Sequence, residues 1–117
     1  MNIFFTKENK YKNKKIEEDG QVFDSVREYR RWHELILLQR AGEIRDLCRQ
    51  VPFVLIPSQK TIEGKVVRPV VYKADFAYRT KKGRYVVEDV KGVKTKDYII
   101  KWKLMLYMHN IQVEEVY

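Results

Sequence analysis

The sequence carries one cysteine, Cys48, among 117 residues. That excludes an internal disulfide and any zinc site built on clustered thiolates, and it suits a reducing cytosol. Histidine is nearly as scarce. His33 and His109 stand apart without the spacing of paired ligands, which argues against a histidine metal site. No apolar run approaches the roughly 20 residues that span a bilayer, and the N-terminus has no signal-peptide core. A soluble chain that is not exported is therefore expected. No repeat, linker or low-complexity segment stands out, and the length suits one domain with one core.

What is present is positive charge. The net charge is +8 and the pI is near 9.6. Charge of that size on a small domain favours polyanions, with nucleic acid first. No basic amphipathic segment stands outside the core pattern, so a membrane surface is the weaker partner. Hydrophobic residues make up 44% and charged residues 34%, the balance of a globular protein.

Along the chain, residues 1–15 form a lysine-rich arm or loose first strand. Asp19-Gly20 marks a hairpin turn. Ser25 and Glu28 form an S-x-x-E capping box, with Phe23 or Val22 as a staple, so a helix is expected over about Val26 to Arg40 with Gly42 closing it. "IRDLCRQVPFVLIP" reads as a strand made irregular or edge-like by Pro52. "SQKTIEGKVVRP" holds a Gly-centred turn. Val70 to Tyr78 and Tyr85 to Lys91 read as strands around a turn containing Gly83. Thr95 caps a second helix over about Lys96 to Met108, and "IQVEEVY" is a last short strand. The order predicts an α/β fold: a mixed sheet of four strands or slightly more, flanked by helices. Residues 16–117 form its single domain.

Three polar residues in this plan are out of the ordinary. Strand alternation places Asp89 and Lys91 on one side of their strand with Val87. On the preceding strand it groups Asp75 with Lys73 and Ala77, and puts Tyr72, Ala74, Phe76 and Tyr78 on the other face. If Arg79 sits opposite Tyr85, the same antiparallel register sets Asp75 opposite Asp89; a one-residue slip would undo this. Two close carboxylates repel, and a divalent cation removes the repulsion. Mg²⁺ favours a few carboxylates, water and phosphate oxygens. A lysine beside it can orient water or stabilise charge on a reacting phosphate. On its own, Asp-x-Lys is also an ordinary solvated salt bridge worth about 0–1 kcal/mol. The full D-x13-D-x-K pattern across strand–turn–strand, in a basic protein, points beyond that. Glu28 adds a third acid, because helical spacing aligns it with Trp32 and Leu35. It can serve as a capping residue, a site residue or both.

The set Glu28, Asp75, Asp89 and Lys91, in the order helix, strand, strand, resembles the PD-(D/E)xK nuclease superfamily. "KYKNKKIEEDGQVFDSVREYRRWHELILLQRAGEIRDLCRQVPFVL" followed by "YKADFAYRTKKGRYVVEDVKGVKT" further resembles a small phage-borne branch of it that includes Holliday-junction-resolvase-like enzymes. The likeness runs over about Lys10 to Met108. It implies a restriction-endonuclease-like core and a Mg²⁺ or Mn²⁺ ion held by Asp75, Asp89 and the Val90 carbonyl. It also implies Lys91 as catalytic lysine and Glu28 as the helix acid completing the site. Ala74 stands where the pattern has proline. Glu88 is the reserve for Asp89 if the strand bulges.

The implied activity is metal-dependent endodeoxyribonuclease action on branched DNA such as Holliday junctions, by a twofold dimer, in the cytoplasm of a phage-infected or prophage-carrying bacterium. A structure-specific or nicking nuclease of phage replication or packaging is the alternative, and so is a DNA-binding module that does not cut. Lys12, Lys14 and Lys15 on the arm, and Lys94, Lys96 and Lys101 after the site, are candidate phosphate contacts. Solvated lysines would look the same. Trp32 and Trp102 are expected in the core, and Cys48 as a small buried filler.

Overall fold

The computed structural model describes residues 5–8, 14–91 and 93–117, the first of these as backbone. Lys12 and Gly92 lie outside the described residues. The strand β1 (Phe5–Glu8) pairs antiparallel with β2 (Lys14–Glu18), which pairs with β3 (Gln21–Phe23). Strand β2 begins inside the lysine-rich stretch and runs on past Lys15. Asp19 and Gly20 both take positive φ, 50° and 79°, which lets a tight turn follow the twist of its strands.

Helix α1 (Val26–Arg40) has the expected bounds. The Ser25 hydroxyl accepts from the Glu28 N–H at 3.1 Å. The Glu28 carboxylate reaches back to the Asp24 N–H at 3.2 Å, one residue earlier than a standard capping box. Phe23 meets Tyr29 edge to face at 5.4 Å, so it is the staple, whereas Val22 is exposed. Gly42, at φ 79°, supplies the left-handed residue that ends the helix.

The main sheet has the order β4 (Ile44–Ile56), β7 (Val70–Thr80), β8 (Tyr85–Val90), β9 (Glu114–Val116). The first three form an antiparallel meander and β9 joins parallel to β8, so the sheet is mixed. A small hairpin, β5 (Gln59–Lys60) with β6 (Val66–Val67), is inserted between β4 and β7. Helix α2 (Lys96–His109) starts at the Thr95 cap and ends at Asn110 in the left-handed region. Pro52 sits on β4, an edge strand, where a missing N–H costs little.

Each helix covers one face. Leu35 of α1 packs with Ile44, Phe76, Tyr78 and Val86; Tyr98 and Met105 of α2 pack with Leu55, Tyr72, Ala74, Ala77 and Val87. Both tryptophans are half-buried against these clusters: Trp32 stacks on Phe76 and Trp102 donates to the Val113 carbonyl.

These clusters correct the expected face assignment on β7. Tyr72 and Ala74 face α2, while Phe76 and Tyr78 face α1, so the alternation reverses at Asp75. It reverses on β4 too: Leu47 packs toward α1, and Val51, Phe53 and Leu55 toward α2. Gln50, whose φ of 55° is left-handed, stands at the reversal, between the paired residues Arg49–Phe76 and Val51–Ala74. Cys48 is a second correction. It is exposed, because the bulge between Arg45 and Cys48 on the edge strand turns it to solvent.

Candidate active site

The register of β7 and β8 sets Arg79 opposite Tyr85 and continues to Phe76 opposite Glu88. Asp75 and Asp89 are the next pair, where the ladder ends. There the Val90 N–H donates to Asp75 Oδ2 at 2.8 Å, a side chain standing in for a strand carbonyl. Asp75 and Asp89 lie close enough that the charge of one disfavours ionisation of the other. Burial pushes Asp75 up to about 9, and Asp89 and then Glu28 add to the shift.

Asp89 is 5% exposed and heavily partnered. The Tyr72 hydroxyl donates to its Oδ2 at 2.5 Å, and Lys91 Nζ lies 3.1 Å from the same oxygen. Lys91 Nζ sits 3.7 Å above the Tyr98 ring, and the Tyr98 hydroxyl donates to Glu115 at 2.8 Å. The ammonium is thus held between a carboxylate and an aromatic face. Burial, then nearby carboxylates, push both tyrosine hydroxyls up, so they remain donors.

Glu88 points the other way. Arg31 grips its carboxylate with two bonds, 2.8 and 2.7 Å, and the Tyr78 hydroxyl also donates to it. Strand parity alone separates it from Asp89: Val86 and Glu88 face α1, Val87 and Asp89 face α2.

Glu28 is buried and joins from behind. Gln50 Nε2 lies 3.0 Å from Glu28 Oε1 and 3.5 Å from Asp75 Oδ1, so one amide bridges the helix acid and the strand acid. Arg49 donates to the same Glu28 oxygen at 3.4 Å and lies 4.1 Å over the Phe23 ring. Burial raises the Glu28 pKa, with Arg49 working against it. The reversal at Gln50 makes this bridge possible, since it puts Asp75 at the boundary between the two faces.

Asp75, Asp89 and Lys91 open into a cleft of about 510 Å³ that Gln50, Tyr72 and Tyr98 also line, with Asp97 and Lys101 a helical turn apart on one side. Glu28 does not line it. Of the other candidate cations, Lys14 and Lys96 are exposed, Lys15 lies 3.8 Å from Asp24, and Lys94 pairs with Glu115 at 3.0 Å. His33 pairs with Glu18, and His109 meets the Val54 carbonyl. A second cleft, about 560 Å³ between the β2–β3 hairpin and α1, contains none of the acid–lysine set.

Among the described residues, no three His, Cys, Asp or Glu side chains converge as a metal cage. The protein offers two adjoining carboxylates, a donor set of hard oxygens. That suits an ion which takes most of its ligands from water and phosphate, as Mg²⁺ does. Gln50, Tyr72 and Tyr98 were missed in the sequence. The signal for Gln50 was the pairing of β4 beside β7, the reversal hid that Tyr72 shares the face of Asp89, and Tyr98 comes from the helix α2 packed on that face.

The molecule is therefore an α/β protein whose mixed four-stranded sheet presents two abutting aspartates and a lysine in one cleft. A family model described as "Protein of unknown function (DUF1064)" matches residues 8–116, and the chain belongs to that family. No curated protein and no solved structure shows a match. No helix among the described residues is long and apolar enough to cross a membrane.

Proposed function

We propose that this protein is a metal-dependent endodeoxyribonuclease of the PD-(D/E)xK kind, with a restriction-endonuclease-like core, that cuts branched DNA as a twofold dimer. The observation that carries the reading is the placement of Asp75 and Asp89 side by side at the end of the β7–β8 ladder, in one cleft, with Lys91 Nζ 3.1 Å from Asp89. Holding two acids together costs stability, and an ordinary solvated strand face has no use for it.

Asp75 and Asp89 would hold Mg²⁺ or Mn²⁺, with the Val90 carbonyl beside them, and the ion would polarise the phosphate and make bound water more acidic. The residues do the rest. Tyr72 fixes the Asp89 carboxylate by donating to it. Gln50 links Asp75 to Glu28 and so sets the angle of the first acid. Lys91, held over Tyr98, orients the attacking water and stabilises charge on the phosphate. The water oxygen bonds to phosphorus, the bond to one bridging ester oxygen breaks, and that oxygen leaves with a proton.

The +8 charge supports a DNA partner, and Lys101 at the cleft is the best-placed phosphate contact. Cleavage of supercoiled plasmid and of a synthetic four-way junction, with Mg²⁺, Mn²⁺ or EDTA, tests the reading. Metal-independent binding with no cutting would favour a binding module of the same fold. Equal cutting of linear duplex and junction would remove the preference for branches.

A further inference from the structure

The hairpin β5–β6 has no part in the cleft, yet it carries an oddity. Every residue from Ile56 to Pro69 is exposed, and Ile62 at the tip is fully in water, more so than any other large apolar side chain among the described residues. Turn positions favour Gly, Pro, Asn, Asp and Ser, so a β-branched apolar residue there works against local preference.

The protein contains its own control. Thr61-Ile62-Glu63-Gly64-Lys65 and Thr80-Lys81-Lys82-Gly83-Arg84 are the same turn. In each, the threonine N–H donates to the fifth residue's carbonyl (2.8 and 2.9 Å), and the glycine N–H donates back to the threonine carbonyl (2.9 and 2.8 Å). In each, the threonine hydroxyl accepts from the fifth N–H at 3.1 Å. Both glycines have φ of 87°. Lys81 fills the Ile62 position in the second copy, so the turn does not need isoleucine.

The flanks supply charge. Lys60, Lys65 and Arg68 stand against Glu63, and none of the three is held by a carboxylate among the described residues. The thirteen residue steps from Ile62 to Asp75 reach at most about 45 Å as extended chain. One turn of B-DNA is about 34 Å, so the tip lies within little more than a turn of a phosphate held in the cleft. We propose that the β5–β6 hairpin is a DNA-engaging arm: its cations grip phosphates and Ile62 enters an opened base step, such as one at a branch point. Apolar side chains on DNA-bound elements do this elsewhere, spending unstacking energy to hold distorted DNA. The inference rests on the DNA reading above.

The test uses the full chain, in EDTA to prevent cutting, and a four-way junction carrying 2-aminopurine at the branch. Ile62→Lys copies the sister turn, so the fold is kept and phosphate attraction rises. A second variant replaces Ile62 and Glu63 together by Lys-Lys. The wild type should raise 2-aminopurine fluorescence and prefer junction to duplex. Both variants should lose the rise and give up roughly tenfold of that preference, the order expected from returning one partly buried aliphatic side chain to water, while binding duplex at least as tightly. Unchanged fluorescence and preference in the variants would overturn the arm alone. A wild type that binds neither DNA would overturn the DNA reading beneath it.

Discussion

The N–H of Val90 donates to the carboxylate of Asp75 at 2.8 Å, so a side chain ends the β7–β8 ladder where the backbone would have continued it. This bond holds Asp75 beside Asp89, in partial burial, and the account depends on that closeness.

A pH dependence follows for the metal-free protein. Unfolded, Asp75 loses its proton near its ordinary 3.8; folded, it keeps it to about 9, through burial first and Asp89 second. The folded state binds more protons across that window, so stability is greatest at the acid end and falls as pH rises from about 4 toward about 9. Glu28, also raised, acts in the same direction. Thermal melts in EDTA should show the decline, and Asp75→Asn should flatten it. A melting temperature that climbs over this range in the wild type would contradict the pairing.

Gln50 separates backbone strain from function. Its φ of 55° disfavours any residue but glycine, by roughly 1–2 kcal/mol. Gln50→Gly should therefore keep or slightly raise the melting temperature. It should also lower the cleavage rate about tenfold or more, because the bridge between Glu28 and Asp75 is gone. Calorimetry should show weaker Mn²⁺ binding. A variant with full activity would reduce Gln50 to a bend in the strand.

On the other face the partly exposed Arg31 pairs with the buried Glu88, which is 2% exposed. Arg31→Met leaves that charge without its partner and should cost about 3 kcal/mol in urea unfolding. Adding Glu88→Gln should recover much of the loss. Additive effects would mean the two side chains do not stabilise each other.

Much of this was legible in the sequence, where local chemistry decides structure. Ser25, Glu28 and Gly42 carry the signals that bound α1, and the bounds hold to the residue. The Thr80–Arg84 turn fixes the β7–β8 register, which is why the pairing of Asp75 with Asp89 could be anticipated. The side of the sheet was legible for β8, a regular strand. It was not legible for β7, because its alternation reverses at Asp75, opposite the left-handed Gln50 on a neighbouring strand twenty-five residues earlier. Period-two reasoning sees one strand at a time. The roles of Tyr72 and Gln50 were hidden for the same reason, and Cys48 was misplaced because its exposure follows from a bulge.

Charge makes a separate prediction. Junction affinity should fall steeply with salt as lysine–phosphate contacts release counterions. Asp89→Asn should bind at least as well as the wild type, since it removes negative charge near the phosphate, and Asp75→Asn should bind about equally, since Asp75 keeps its proton in the metal-free protein. A flat salt response would remove the basic surface from the account.

Cleavage of a four-way junction in Mg²⁺, with EDTA and Asp89→Asn as controls, decides whether Asp75, Asp89 and Lys91 form a nuclease site. Paired nicks at the branch are expected in Mg²⁺ or Mn²⁺, none in EDTA, and loss of cutting with retained binding in Asp89→Asn. Cutting that persists in the Asp89→Asn protein, or none by the wild type in either metal, would contradict that assignment.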